Sequence, residues 1–394
     1  MSADFWLSSH GNHWLFDRQK LYQARAEDFR YAKEQEVGWI GIWSANVMTR
    51  FAKRLGLRQQ SIASAIVFFR RFYTRNSYSD TDPCLVAATC IYVAAKVEEQ
   101  PVHVKSVMTE AKQLFQDMGY TQFPTDHHKL AEMEFYLIED IEFHMVIHHP
   151  YKALLQMCGR DSYKLPGMLD IDESTFQMAW FIINDTYRSS LCLLHPPHLI
   201  AVAALYIAFA INPPPKKAPT TASHHSGRTS PRPSSTATMA QTSTPTQQAQ
   251  TPTSASAAPA AKRDPVTFLA ELNVPLSIVL EITQEIISLY SLWHAFEEGP
   301  AASGGNSSGS GHNGENGPTA ALAAQMLSGQ QGASSPQRSS NSNGSGGAGQ
   351  NATSNSNQQT KLTPDERIIK ILSRIRDARS MDPAQGQARL GSRK

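Results

Sequence analysis

The chain has few cysteines, almost no net charge and no long uninterrupted apolar run, and each shortage removes a class of protein. Its four cysteines, Cys84, Cys90, Cys158 and Cys192, form no CxxC pair in 394 residues. That argues against a disulfide framework and for free thiols in a reducing compartment. A formal net charge of +2 gives the whole chain no electrostatic claim on nucleic acid or on a membrane surface, so neither is expected as a partner. The longest apolar run, Leu199 to Ile211, is too short to span a bilayer. Asp4, His10 and Asp17 interrupt any secretory pattern at the start. A soluble, intracellular protein is expected.

Residues 213 to 263 hold no Ile, Leu, Val or aromatic residue, and residues 299 to 360 hold no aromatic one. Such segments bury too little apolar area to offset the entropy of ordering them, so both are expected to be disordered. The foldable part is then about residues 1 to 212 plus 265 to 298, enough for two small helical units. There is no paired-carboxylate metal motif, no phosphate-cradling glycine loop after a strand, and no Ser or Cys nucleophile with an obvious base. This speaks against an enzyme. His127, His128, His144, His148 and His149 match no standard zinc spacing. Neither a metal nor a cofactor is expected.

What the chain does contain centres on Asp82 to Gln100, DPCLVAATCIYVAAKVEEQ. Asp82-Pro83 is a cap residue followed by a proline suited to the first helical position. From Leu85 on, the segment is apolar on nearly every side, the mark of a helix buried all round. It ends in Lys96, Glu98 and Glu99, charges too costly to bury alone, so its tip should emerge at a surface.

This helix occurs twice. Pro83, Leu85, Ala87, Ile91, Tyr92, Val93 and Ala94 match Pro197, Leu199, Ala201, Leu205, Tyr206, Ile207 and Ala208 at a displacement of 114 residues. Ala65, Phe69 and Tyr73 in the preceding helix match Ala179, Ile183 and Tyr187 at the same displacement. One offset over two consecutive helices implies a duplicated helical unit. Lys96 falls on Ala210, so chemistry at the charged tip belongs to the first copy.

The fold class expected is all-α, with an arm and two five-helix units. Residues 1–36, rich in aromatics at Phe5, Trp6, Trp14 and Phe16, form a helical arm, with the charges from Arg18 to Glu36 on a solvated face. Residues 37–147 form the first unit. Its opening helix, Gly38 to Leu55, carries Ile40, Trp43, Val47, Phe51 and Leu55 on one stripe and closes at Gly56. Residues 148–298 form the second unit, interrupted by the insert 213–264, which is tolerated because loop-closure entropy grows slowly with length. Ser230-Pro231, Thr244-Pro245 and Thr251-Pro252 in that insert are candidate targets of proline-directed kinases. Residues 299–361 form a disordered linker. A last helix over 362–380 has capping-box spacing from Thr363 to Glu366 and Ile368, Ile371, Leu372 and Ile375 on one face. It reads either as a docking helix for another protein or as a transient tail helix. Arg58, Arg70, Arg71 and Arg75 face outward in this reading, either as a basic patch for a phosphate or acidic partner or as an ordinary solvated face.

Two five-helix units, AAKVEE at the tip of the third helix and MEFYLIEDIEFHM as the fifth, resemble the tandem cyclin fold. ADFWLSSH, LRQQSIA and FFRRFYTR narrow the resemblance to the C-type cyclins, subunits of the kinase module of the Mediator complex of RNA polymerase II. The long polar insert and tail are in the style of a filamentous-fungal member. The resemblance implies a nuclear regulator of transcription, activating or repressing, that binds and activates a cyclin-dependent kinase without catalysing anything itself. It also implies that Lys96 and Glu134 bind the kinase's regulatory C helix, with Val97, Glu99, Ile138 and Phe143 completing the kinase-facing surface. The plain alternative is that Lys96 and Glu134 pair only to cap the fold. Cell-cycle cyclins carry Met-Arg-Ala-Ile-Leu on the first helix for substrate docking, where this chain has Ile40, Gly41, Ile42, Trp43 and Ser44. The missing arginine favours a transcriptional over a cell-cycle cyclin. A rival with the same tandem fold is a nucleic-acid-binding factor of the transcription factor IIB type, which would carry a zinc ribbon and a basic face.

Overall fold

The structure, a computed structural model, describes residues 4–160, 168–169, 171–213, 265–299 and 362–382. The expectations for most of the insert and linker, including its Ser/Thr-Pro sites, lie outside the described residues. Among the described residues all regular structure is helical.

Three short helices make the arm: α1 (Ser9–His13), α2 (Arg18–Ala24) and α3 (Ala26–Phe29). The first repeat follows as α4 (Glu34–Arg54), α5 (Gln59–Phe72), α6 (Pro83–Val97), α7 (Val104–Asp117) and α8 (His127–Asp140). The second comprises α9 (Pro150–Met157), α10 (Glu173–Thr186), a turn of helix α11 (Leu191–Leu194), α12 (Pro197–Ile211), α13 (Pro265–Glu271) and α14 (Leu276–Glu298). The last helix is α15 (Pro364–Met381). The bounds of α5 and α10, and of α6 and α12, differ by the same displacement that relates their residues.

Helix α6 is the hub of the first repeat, packed on α4, α5, α7 and α8, as α12 is of the second, packed on α9, α10 and α14. Asp82 caps α6 by accepting the Cys84 N–H, with Pro83 behind it. Ala87, Ala88, Ala94 and Ala95 are all but inaccessible and let neighbouring helices approach closely. The partner stripes close over them: Ile62, Ala65, Ile66, Phe69 and Phe72 from α5, and Leu130, Met133 and Leu137 from α8. At about 1.5–3 kcal/mol for each large aliphatic or aromatic side chain buried, these stripes dominate the stability of the repeat.

Helix α4 starts at Glu34, four residues ahead of the expected Gly38, because the Glu36 carboxylate turns back to accept the Lys33 N–H. It ends where Gly56 adopts φ +69, a left-handed cap that glycine takes without penalty. Gly38 marks a close approach from the second repeat, since a Cβ there would meet Leu292 of α14 at 2.9 Å. By length and composition α14 is apolar enough to cross a membrane. Its Val279, Ile282, Ile286, Leu289 and Phe296 are instead buried in the core, and its Glu281 and Glu285 pair with Arg18 of the arm.

Two expectations need correction. The charged stretch of the arm is no purely solvated face: Asp28 is fully buried and accepts the Ser77 hydroxyl and the Tyr78 N–H, with Arg25 beside it. It locks the arm to the loop before α6. The last helix is not a separate tail in this structure: α15 packs along α4 with Ile368, Ile371, Leu372 and Ile375 buried.

Candidate functional site

Lys96 sits at the last turn of α6 and Glu134 in the middle of α8, two helices that pack against each other. Their side chains form an ion pair across the two helices. The Lys96 ammonium lies 4.3 Å from the centre of the Tyr92 ring, one turn earlier on α6, so both a carboxylate and an aromatic face hold its position. The Lys96 side chain is 39% exposed and that of Glu134 16%. The pair is therefore partly open to solvent on the Lys96 side.

Glu98, the C-cap of α6, accepts from Gln60 and Ser64, which fixes the tip against α5. Val97 is half-buried and packs on the core, as is Ile138, one turn on from Glu134. Glu99 is exposed with φ 52, and Phe143 is 71% exposed with φ 59. With Glu142 at φ 56 these are the non-glycine residues with positive φ among those described. Strained backbone kept by the surrounding structure concentrates where a surface is used. Lys96, Val97 and Glu99 stand at the end of α6, beside the start of α5, and Glu134 meets them from the middle of α8, with Ile138 one turn on; Phe143 follows the end of α8, which is tied instead to the far end of α5 through Asp140 with Asn76 and Glu142 with Arg75. Sequence reasoning missed Phe135, Tyr136 and Val146, which are 76%, 55% and 58% exposed. The signal was available: Phe135 and Tyr136 fall off the inward stripe of α8, and large side chains displaced from a stripe are the informative kind of exposure.

The basic patch does not assemble. Arg71 is fully buried; it donates to the His144 carbonyl at 2.7 Å and lies over the Trp14 ring. Its other guanidinium nitrogens have no acceptor, and burial lowers its pKa to about 10. Arg70 donates to the Tyr187 carbonyl in the second repeat and to the Gly41 carbonyl, filling the space beside the residue that has no side chain. Arg75 is neutralised by Glu142, and Arg58 remains exposed at the start of α5. Periodicity marks only the inner face of α5, whereas the arm and second repeat also cover its outer face, so Arg70 and Arg71 lie at an internal seam.

The histidines belong to that seam too. His149 contacts the Ser64 hydroxyl through one ring nitrogen and the Tyr187 hydroxyl through the other. His10 accepts the His148 N–H. Burial, with Arg71 nearby, lowers the pKa of both His10 and His149 to about 3, so both are neutral. Asp126, His127 and His128 bring three ligand atoms within 4.8 Å of one another. All three residues are exposed and one Asp126 oxygen already accepts the His128 N–H, the ordinary geometry of a helix cap.

Curated proteins resemble this chain over about three quarters of its length. The family model for the cyclin N-terminal domain matches residues 38–146. An RNA polymerase II holoenzyme cyclin-like subunit of Mycosarcoma maydis is 36% identical over 356 residues, covering 75% of this chain and 90% of that protein. A cyclin-C of Drosophila pseudoobscura pseudoobscura is 33% identical over 303 residues, covering 76% of this chain and 92% of its own length. Among solved structures, a chain of the yeast TFIIK (Kin28/Ccl1/Tfb3) complex overlaps 51% of this chain and 85% of its own, with a TM-score of 0.41 and 24% identity.

Proposed function

The chain belongs to the cyclin family, and on that premise we propose that it binds and activates a cyclin-dependent kinase in the nucleus, as a subunit of the Mediator kinase module that regulates transcription by RNA polymerase II. The observation that carries the proposal is the half-open Lys96–Glu134 pair, with exposed Phe135 next to Glu134 on α8. The names of its relatives, an RNA polymerase II holoenzyme subunit and a cyclin-C, support the transcriptional part.

The mechanism is allosteric. A kinase needs its C-helix glutamate paired with the ATP-binding lysine before phosphoryl transfer is efficient. A rigid surface that binds only the inward position of that helix shifts the population toward activity. Moving the equilibrium from 1:99 to 99:1 takes a preference of roughly 5.5 kcal/mol for the inward form. Lys96 supplies a cation to main-chain carbonyls at the end of the incoming helix, and Glu134 an acceptor for its amides or basic side chains. The apolar side chains around them exclude water and strengthen both contacts. Rigidity is built in, because both charged residues stand on core helices and already hold each other.

The test is reconstitution. The purified chain mixed with the kinase that co-purifies with it should raise phosphorylation of a substrate peptide severalfold or more, and the chain alone with ATP should give none. Stable association without any change in kinase activity would refute the activating role. Salt-dependent DNA binding by the helical core would favour the basal-factor alternative instead.

A further inference from the structure

The face built on Lys96 and Glu134 lies wholly in the first repeat, yet a line of polar side chains runs from its edge into the second. Glu98, two residues past Lys96 at the C-cap of α6, accepts the Ser64 hydroxyl of α5. The Ser64 oxygen lies 2.9 Å from Nε2 of His149, in the link between the repeats. Nδ1 of His149 lies 2.6 Å from the hydroxyl of Tyr187, the C-cap of α10. Ser64 and Tyr187 are buried. Tyr187 is itself fixed, stacked on Tyr151 and held at its carbonyl by Arg70.

The direction of every bond follows from the first. A serine hydroxyl has one hydrogen. Given to the Glu98 carboxylate, it leaves the Ser64 oxygen able only to accept, so Nε2 of His149 carries a proton. His149 is neutral, held so by burial and by Arg71, and a neutral imidazole has one N–H, so Nδ1 accepts from Tyr187. Three donors in series thus point toward one carboxylate, an order in which each bond polarises the next. On the other side of the tip, Gln100 accepts the Arg58 N–H and the Ser61 hydroxyl and donates to the Gly56 carbonyl. Glu99 is held between these two grips at φ 52, a left-handed turn that a residue with a side chain keeps only when its surroundings enforce it.

We propose that His149 is a positioning residue for kinase binding: it carries the placement of the second repeat through Ser64 to Glu98, and so fixes the tip that presents Lys96 and Glu99. The inference rests on the activating role proposed above. It gives the second repeat, which has Ala210 where the first has Lys96, a part in that role.

The experiment uses the full chain and the kinase that co-purifies with it. His149→Leu fills much of the same space without polar atoms and should weaken kinase binding about tenfold. His149→Gln can accept from Tyr187 through its amide oxygen and donate to Ser64 through its nitrogen, and should restore the original affinity. Ser64→Ala should match His149→Leu, and the two together should lose no more than either, since one break opens the whole line. Ser64→Ala also serves if His149→Leu fails to fold. Ile183→Val, in the core of the second repeat, destabilises the fold by a small cavity and should leave kinase affinity unchanged. In the free chain the Glu99 amide resonance should move in His149→Leu and return in His149→Gln, a readout that a general loss of stability would not shift. An unmoved Glu99 resonance, or equal loss of the kinase in Ile183→Val, would overturn the inference. Original affinity in His149→Leu alone would overturn it too, whereas original affinity in both His149→Leu and Lys96→Ala would overturn the activating role and this inference with it.

Discussion

Replacing Lys96 or Glu134 by alanine distinguishes a clamp for another molecule from a pair that merely caps the fold. In the free chain the Lys96 side chain is 39% exposed, so the ion pair is largely screened and is worth no more than about 1 kcal/mol. Lys96→Ala should therefore move the thermal midpoint by only a few degrees. Covered by a kinase, the same charges lose their water, and truncating one leaves the other buried and unpaired. The cost there is roughly 2 to 5 kcal/mol, or about 30- to 4,000-fold in affinity. Either single variant should thus keep its fold and lose the kinase, measured by calorimetric titration beside differential scanning calorimetry. The double variant should lose less than the sum of the singles, by about 1 kcal/mol or more, because the two groups act as one unit. A variant that binds the kinase at the original affinity while losing several kcal/mol of stability would show that the pair serves only the fold.

Acid should destabilise the seam between the repeats. His10 and His149 stay neutral in the folded chain, with pKa values lowered to about 3 by burial first and by Arg71 second, whereas the unfolded chain takes up the proton at the ordinary 6.5. The stability of the neutral form is fully present above about pH 6.5 and is lost as pH falls toward 3. At pH 5, His10 alone should cost about 2 kcal/mol relative to neutral pH, and His10→Gln should flatten urea-unfolding stability against pH. Asp28→Ala should cost roughly 3 to 5 kcal/mol in the same assay, since it strips Ser77, Tyr78 and Arg25 of a buried acceptor; a loss below about 1 kcal/mol would contradict its burial. Arg71→Met should stay within about 1 kcal/mol of the original chain. The relief of an unpaired buried cation offsets the lost bond to His144 and the contact with Trp14, and a large loss on thermal melting would refute that balance.

Two features of this protein were legible in its residues. The duplication follows from one displacement shared by two helices, because equal packing demands leave equal patterns of large and small side chains. The tip of α6 follows from charges ending an otherwise apolar helix, which must reach water wherever the helix lies. Partnership across the chain was not legible. Periodicity says which face of a helix is buried but not against what, so α5 looked one-sided until the arm and second repeat were found covering Arg70 and Arg71. The stripe on α15 guaranteed that it would be covered, and only the folded body, with Glu36, Arg50, Asp82 and Arg30 converging from separate segments, decided that α4 would cover it. Local patterning is written residue by residue, whereas complementarity between distant surfaces exists only once the chain has brought them together.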